Sequence, residues 1–289
     1  MLAPAGGAHR IPRKGGVMTD RFAPDSRSLR RELSGNAGLR VADETGAAPT
    51  VDAVFFDLYG TLVDIHADEA AAAAWDALRS ALADRGVTYA SNAELRRRFE
   101  ILAQPMRDAA VVAHGEWAEP GLLPVYSALA GERRNDDATA QSLAWTFRQA
   151  STSLLRVYPG APELLARLRV AGKRVVLVSN AQSCYTRPEL AALGLDRAFD
   201  RIVISSEVGV RKPSPAIFRR ALEAEHLTPD RVFMVGNDER ADILGAASAG
   251  IAGVYLRTEI SPASDPQASA HAVLSLAGPD YAELLQYLT

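Results

Sequence analysis

The feature that most constrains this chain is a rhythm that begins at residue 51. Short runs of β-branched or apolar residues recur at Val54–Phe56, Val175–Val178, Ile202–Ile204, Val232–Val235 and Gly253–Leu256, with Ala272–Leu276 as a sixth candidate. Continuous runs of this length suit strands buried on both faces, the condition of a parallel sheet. Helical patterns separate the later runs, over Pro162–Ala171, Pro188–Leu193, Pro215–Glu225 and Arg240–Ala249. Pro162, Pro188 and Pro215 are expected at or near the first helical turn, where a missing N–H leaves no carbonyl unpaired. Strands alternating with helices predict an α/β protein, a doubly wound, Rossmann-like parallel sheet built from right-handed βαβ units. The rhythm breaks once. Residues 67–152 are rich in Ala, Leu and Arg with helical periodicity and no strand signal. That is too long for a crossover connection and predicts an inserted α-helical cap subdomain, with residues 51–66 and 153–289 forming the core.

Residues 1–50 have a different texture. They hold eight Lys or Arg and five acids among Gly, Ala, Pro and Ser, with no sustained apolar periodicity. The expectation is a mostly disordered tail, and Met18 is an alternative start. No apolar stretch follows the early charges as a signal peptide requires. Overall, 32 Lys plus Arg against 35 Asp plus Glu leave a formal net charge of −3, which gives no reason to expect nucleic acid or a membrane surface as partner. A single cysteine, Cys184, excludes an internal disulfide and a Cys-based zinc site. A cytoplasmic protein with a small-molecule substrate is expected; its oligomeric state is not encoded in any motif.

In open α/β sheets, ligands bind beyond the carboxyl ends of the strands. The first strand is followed by Asp57-Leu58-Tyr59-Gly60-Thr61-Leu62 and the second by Ser179-Asn180. The third leads to Arg211-Lys212-Pro213, and the fourth gives Gly236-Asn237-Asp238 with Asp242 on the next helix. A carboxylate, a hydroxyl, an ammonium and an acidic group are thereby predicted to converge on one sheet edge.

With these four stretches in this order, the sequence resembles the haloacid dehalogenase superfamily after its tail, and the 67–152 insertion resembles that family's helical cap. The resemblance implies a hydrolase acting through a covalent aspartyl intermediate on Asp57, with Ser179 and Lys212 beside it. Lys212 supplies a compact positive charge to an anionic substrate, and Ser179 hydrogen-bonds one of its oxygens. Tyr59, Gly60, Thr61 and Asn180 are expected to line the substrate, with an anion nest of N–H groups around Leu58 and Tyr59. Asp57, the Tyr59 carbonyl, Asp238 and Asp242 are hard oxygen donors that suit Mg²⁺.

The reaction is less settled by the residues. Phosphatases of the family usually carry a second Asp two residues after the nucleophile, where this chain has Tyr59. Tyr there is the pattern of the family's 2-haloacid dehalogenases, whose leaving halide needs no proton. Those dehalogenases also carry a Tyr six residues after the lysine, where this chain has Phe218, and a halide-receiving cap Arg with no recognisable match here. The acids of a metal site are retained, although Asn237 stands where the first of them is usual. Three readings follow: Mg²⁺-assisted hydrolysis of a small phosphorylated metabolite, favoured slightly; a metal-independent 2-haloacid dehalogenase; and a binding protein that keeps the fold. Simpler roles are expected for other residues. Arg96-Arg97-Arg98 reads as a solvated helix face, Trp75, Trp117 and Trp145 as packing of the cap, His66 and Glu69 as an exposed hinge, and Cys184 as a bystander.

Overall fold

A computed structural model of the chain describes residues 51–131 and 136–289. The expected tail, residues 1–50, lies outside them. Six strands form one parallel sheet in the order β5-β4-β1-β6-β7-β8, with β1 at Ala53–Phe56, β4 at Arg174–Ser179, β5 at Arg201–Ile204, β6 at Val232–Gly236, β7 at Ala252–Arg257 and β8 at Leu274–Ala277. All five expected runs lie within strands, and the sixth candidate, Ala272–Leu276, overlaps β8 from Leu274 on. Their residues are buried because helices cover both faces. On one face Phe56, Leu177 and Val235 pack with Leu164, Leu168 and Leu284; on the other Phe55, Val176 and Met234 pack with Ile217 and Phe218. From β1 the chain builds outward through β4 and β5, then crosses back to place β6 on the other side of β1. The carboxyl end of β1 is therefore the switch point, where a crevice opens.

The insertion is bounded by an antiparallel pair that the sequence did not announce: β2 at Val63–Ala67 and β3 at Thr152–Val157. Both strands are half-exposed and mix polar with apolar residues, so neither shows a continuous run. Between them lie α1 (Ala72–Ala83), α2 (Asn92–His114), α3 (Leu123–Ala130) and α4 (Asp137–Ser151). Ser91 caps α2 by accepting the Glu94 N–H, and Asp136 caps α4 by accepting that of Thr139. These helices share a second apolar centre. Trp75 meets Phe99 edge-on at 5.7 Å and Phe147 at 5.1 Å. Truncating an aromatic of this kind costs about 3–5 kcal/mol. Only Trp75 of the three tryptophans is part of that centre. Arg96 also departs from expectation: its guanidinium lies 4.9 Å from the Trp75 ring centre and donates to the Ala70 carbonyl, while Arg97 and Arg98 are exposed.

The core helices that position the site are α5 (Ala161–Val170), α6 (Ser183–Ala192), the single turn α7 (Ser205–Val208) and α8 (Pro215–Glu225). A π-helical stretch at Glu239–Leu244 runs into α9 (Gly245–Ser248), and α10 (Tyr281–Leu288) closes the chain. Pro162 and Pro215 occupy the first turns of their helices, as expected. Pro188 does not: it lies inside α6. A proline there cannot donate to the carbonyl four residues back. That carbonyl, of Cys184, instead accepts from the Gln141 side chain of α4 at 2.6 Å. The tertiary contact takes over the missing helical bond. Cys184 and Tyr185 complete the apolar centre of the insert, and the Tyr185 hydroxyl meets that of Tyr126 at 2.5 Å. Among the described residues, no helix is long and apolar enough to cross a membrane.

Candidate active site

The site begins with the turn after β1. Asp57 keeps its strand hydrogen bond, donating to the Val235 carbonyl at 2.9 Å. The Leu58 carbonyl then accepts from the N–H groups of Thr61, Leu62 and Val63, folding the loop back on itself. Leu58 and Tyr59 keep their own N–H groups outside this set of bonds. Gly60 adopts φ 85°, a region that costs glycine nothing, and a Cβ there would meet the Asn237 side chain at 2.2 Å. The first loop and the loop after β6 therefore touch at Gly60.

Asp57, at the end of the central strand, is buried. Its Oδ1 accepts from Lys212 Nζ at 2.7 Å. The same ammonium donates to Asp242 Oδ1 at 2.6 Å and to the Val178 carbonyl at 2.8 Å. A lysine ammonium has three protons, and all three are used. Burial works against the Lys212 charge, but Asp242 and Asp57 outweigh it and raise its pKa. Burial also pushes the Asp242 carboxyl up, to about 7, against the pull of Lys212. Ser179, at the end of β4, is fully buried, and its hydroxyl has no hydrogen-bond partner among the described residues. Burying an unpaired hydroxyl costs about 1–3 kcal/mol, a cost that an incoming oxygen acceptor removes.

Asn180, expected at the substrate, has its amide occupied. Its Oδ1 accepts the Lys212 N–H at 2.7 Å and its Nδ2 donates to the Lys212 carbonyl at 2.9 Å. It clasps the lysine backbone. Thr61 is buried and donates to Asn237 Oδ1 at 3.3 Å. The Tyr59 hydroxyl meets Thr186 at 2.9 Å and donates to Glu189, both on α6. Burial, and then the Glu189 charge, raise its pKa. Glu189 in turn accepts from Arg148 Nε of α4 at 2.6 Å, and the Arg148 guanidinium lies 5.9 Å from the Tyr59 ring centre and 5.2 Å from that of Tyr185. Sequence reasoning found no arginine of the insertion aimed at this region. Arg148 is one, and it arrives with its charge already met by Glu189 and, at 3.4 Å, by Glu69. Glu69 is exposed, as expected, and pairs with Arg148 across the seam. Phe218 is fully buried in the core rather than at the site.

Of the expected metal ligands, Asp57 and Asp242 share the Lys212 ammonium, whereas Asp238 is turned to a helix terminus. Asp238 Oδ1 caps the π-helical stretch by accepting the Ala241 N–H at 2.7 Å, and the Asp238 N–H binds Asp242 Oδ2 at 3.0 Å. Among the described residues, no group of three His, Cys, Asp or Glu is arranged to hold a metal ion. It is Asn237, not Asp238, whose side chain lies against the first loop. Side-chain direction after β6 decides this: Asp238 starts the helix, and a capping carboxylate is turned to the helix's own N–H groups. A separate cavity of about 560 Å³, lined by Pro159, Glu163, Arg167 and Tyr281 among others, contains none of these residues.

Comparison with known proteins agrees with this architecture. Over 118 residues the chain is 36% identical to the glyceraldehyde 3-phosphate phosphatase of Methanothermobacter thermautotrophicus, a match covering 41% of this chain and 52% of that protein. The chain thus spans about half the length of this curated relative. Two solved structures superpose with a TM-score of 0.53: a predicted phosphoglycolate phosphatase from Haemophilus somnus, at 22% identity over 84% of this chain and all of that one, and a 2-haloacid dehalogenase from Pseudomonas syringae, at 21% identity over 82% and 98%. The fold is common to both chemistries. The family model for haloacid dehalogenase-like hydrolases matches residues 51–250, and the chain belongs to that family.

Proposed function

We propose that this protein hydrolyses a small phosphate monoester, with Asp57 as nucleophile. The observation that carries this reading is the Asp57 carboxylate at the carboxyl end of the central strand, held by a buried ammonium at 2.7 Å. Asp57 attacks phosphorus, the ester oxygen leaves, and water then cleaves the aspartyl phosphate. Lys212 offsets the repulsion between the carboxylate and the phosphoryl oxygens, at a point charge that needs no rearrangement. Asn180 keeps that lysine in register, and Ser179 offers its unpaired hydroxyl to a phosphoryl oxygen. The insertion acts as a cap that excludes bulk water.

Mg²⁺ takes one or two carboxylates and fills the rest of its shell with water and phosphate oxygens. Asp57, the Tyr59 carbonyl and the Asn237 amide oxygen, which also accepts from Thr61, would be a donor set of that kind; Asp238, whose Oδ1 caps a helix, is not. When bound, the ion neutralises charge on the transferring phosphoryl group.

A second reading, dehalogenation, is favoured by Arg148 beside Tyr59, a cation of the insertion near the nucleophile's loop. Against it stands Glu189, which already neutralises that cation. The expected result is turnover of p-nitrophenyl phosphate with Mg²⁺ that falls by about 10³-fold or more in Asp57→Asn. Chloride release from 2-chloropropionate in excess EDTA, with no phosphatase activity, would overturn the phosphatase reading.

A further inference from the structure

We propose that Glu119, carried by the insertion, is the proton donor to the leaving alcohol and afterwards the base for the attacking water. This rests on the phosphatase reading above and adds the residue that it lacks. An alkoxide is a poor leaving group, and proton transfer to it is typically worth about 10²–10⁴-fold.

The ionisable groups already placed at the site are spent. Lys212 uses its three protons on Asp57, Asp242 and the Val178 carbonyl. Both oxygens of Asp242 are bonded, one to Lys212 and one to the Asp238 N–H, and Asp238 caps a helix. The Tyr59 hydroxyl is committed to Glu189 and Thr186, and Glu69 faces Arg148.

Glu119 lies on a stretch of the insertion that is laid down on the core. Ala118 forms an antiparallel bridge with Val210, the Glu119 N–H donates to the Gly209 carbonyl at 2.9 Å, and the Arg211 N–H donates to the Trp117 carbonyl at 2.8 Å. These bonds tie the backbone of Glu119 to the loop that delivers Lys212. Its side chain is tied to the loop after β4, which delivers Ser179: Gln182 Nε2 donates to Glu119 Oε1 at 3.1 Å and to the Pro120 carbonyl at 3.2 Å, while Gln182 Oε1 accepts the Leu122 N–H at 2.9 Å. The carboxyl group is thereby tied to residues that follow the carboxyl ends of β4 and β5, the sheet edge to which Asp57 and Ser179 also belong. Burial favours its protonated form, opposed by the Arg211 charge and the Gln182 hydrogen bond. Trp117, two residues earlier, sits with the guanidinium groups of Arg211 and Arg240 at 5.8 and 5.2 Å from its ring centre, which keeps this stretch seated.

The steps balance. As the Asp57 oxygen bonds to phosphorus, the phosphorus–oxygen bond to the alcohol breaks and the Glu119 proton passes to that oxygen. Water then attacks the aspartyl phosphate, its proton returns to Glu119, and inorganic phosphate leaves with Asp57 restored.

The test compares an ester that needs a proton with one that does not. Glu119→Gln keeps an acceptor for Gln182 but carries no acidic proton. Turnover of alkyl phosphates (glycerol 3-phosphate, phosphoglycolate, phosphoserine) is expected to fall about 10²-fold or more, and that of p-nitrophenyl phosphate less than about threefold. Glu119→Asp, which keeps a carboxyl on a shorter arm, is expected to exceed Glu119→Gln on the alkyl esters. Glu239, at the start of the π-helical stretch after β6, has a buried Oε2 with no partner among the described residues; it is the control, and Glu239→Gln is expected not to separate the two ester classes. An equal loss of both ester classes in Glu119→Gln, a split that appears in Glu239→Gln instead, or a wild type that cleaves p-nitrophenyl phosphate but no alkyl ester would each overturn the assignment and leave the role of Asp57 standing. A wild type with no Asp57-dependent turnover of any ester would remove the phosphatase reading with it.

Discussion

Lys212 and Arg148 are both buried cations set against carboxylates, one at the sheet end and one at the seam between insertion and core. Lys212 bridges Asp57 and Asp242 beside a serine hydroxyl that has no partner among the described residues. Arg148 bonds Glu189, which also receives the Tyr59 hydroxyl, and its guanidinium faces the rings of Tyr59 and Tyr185. The seam network is closed among protein groups. The sheet-end network is left one hydrogen bond short. A buried polar group without a partner is expensive, so a protein keeps one where another molecule will supply the bond. By that criterion the proposed chemistry belongs with the lysine, and the arginine belongs with assembly.

Three substitutions sharpen or break this distinction. Lys212→Met leaves two carboxylates buried without their cation, and removes the charge from the transition state. Turnover of p-nitrophenyl phosphate is expected to fall by about 10²–10³-fold or more, with a stability loss of about 3–5 kcal/mol by denaturant titration. Arg148→Met strands Glu189 in the same way and should cost a similar about 3–5 kcal/mol, yet turnover of the folded protein should stay within about tenfold. Equal kinetic damage in both variants would erase the contrast. The smallest effect is expected for Tyr59→Phe, which removes one donor from Glu189 and one contact from Thr186, for about 1–3 kcal/mol of stability. If Tyr59→Phe destabilises more than Arg148→Met, the seam is held by the phenol rather than by the ion pair.

The parts of the molecule that were legible share a property: their pattern is local. A strand buried on both faces must be apolar throughout, so Val175–Val178 and Val232–Val235 announce themselves. Asp57, Ser179 and Lys212 were found because each follows such a run, and strand ends share one edge. By contrast, β2 and β3 are half-exposed and carry no continuous run, and Pro188 sits mid-helix because a side chain from α4 takes up the carbonyl it leaves unpaired. Arg148 and Glu189 are 41 residues apart on different helices, and no local spacing links them. The exchange of Asp238 for Asn237 at the first loop turns on which of two adjacent side chains faces Gly60 and which caps a helix.

The order of apolar runs and the residues after them determined that this chain makes a parallel α/β sheet with a carboxylate, a hydroxyl and an ammonium at one end. Hydrophobic burial depends on composition within a few residues, and such information is present in the chain itself. What only the tertiary structure decided is how those groups are employed: that the Tyr59 phenol is turned to Glu189, that Asn180 holds Lys212, and that Glu119 is tied to the loops of the site. Hydrogen bonds and ion pairs are short-ranged and directional, so their partners are known only once the helices of the insertion have settled on the sheet.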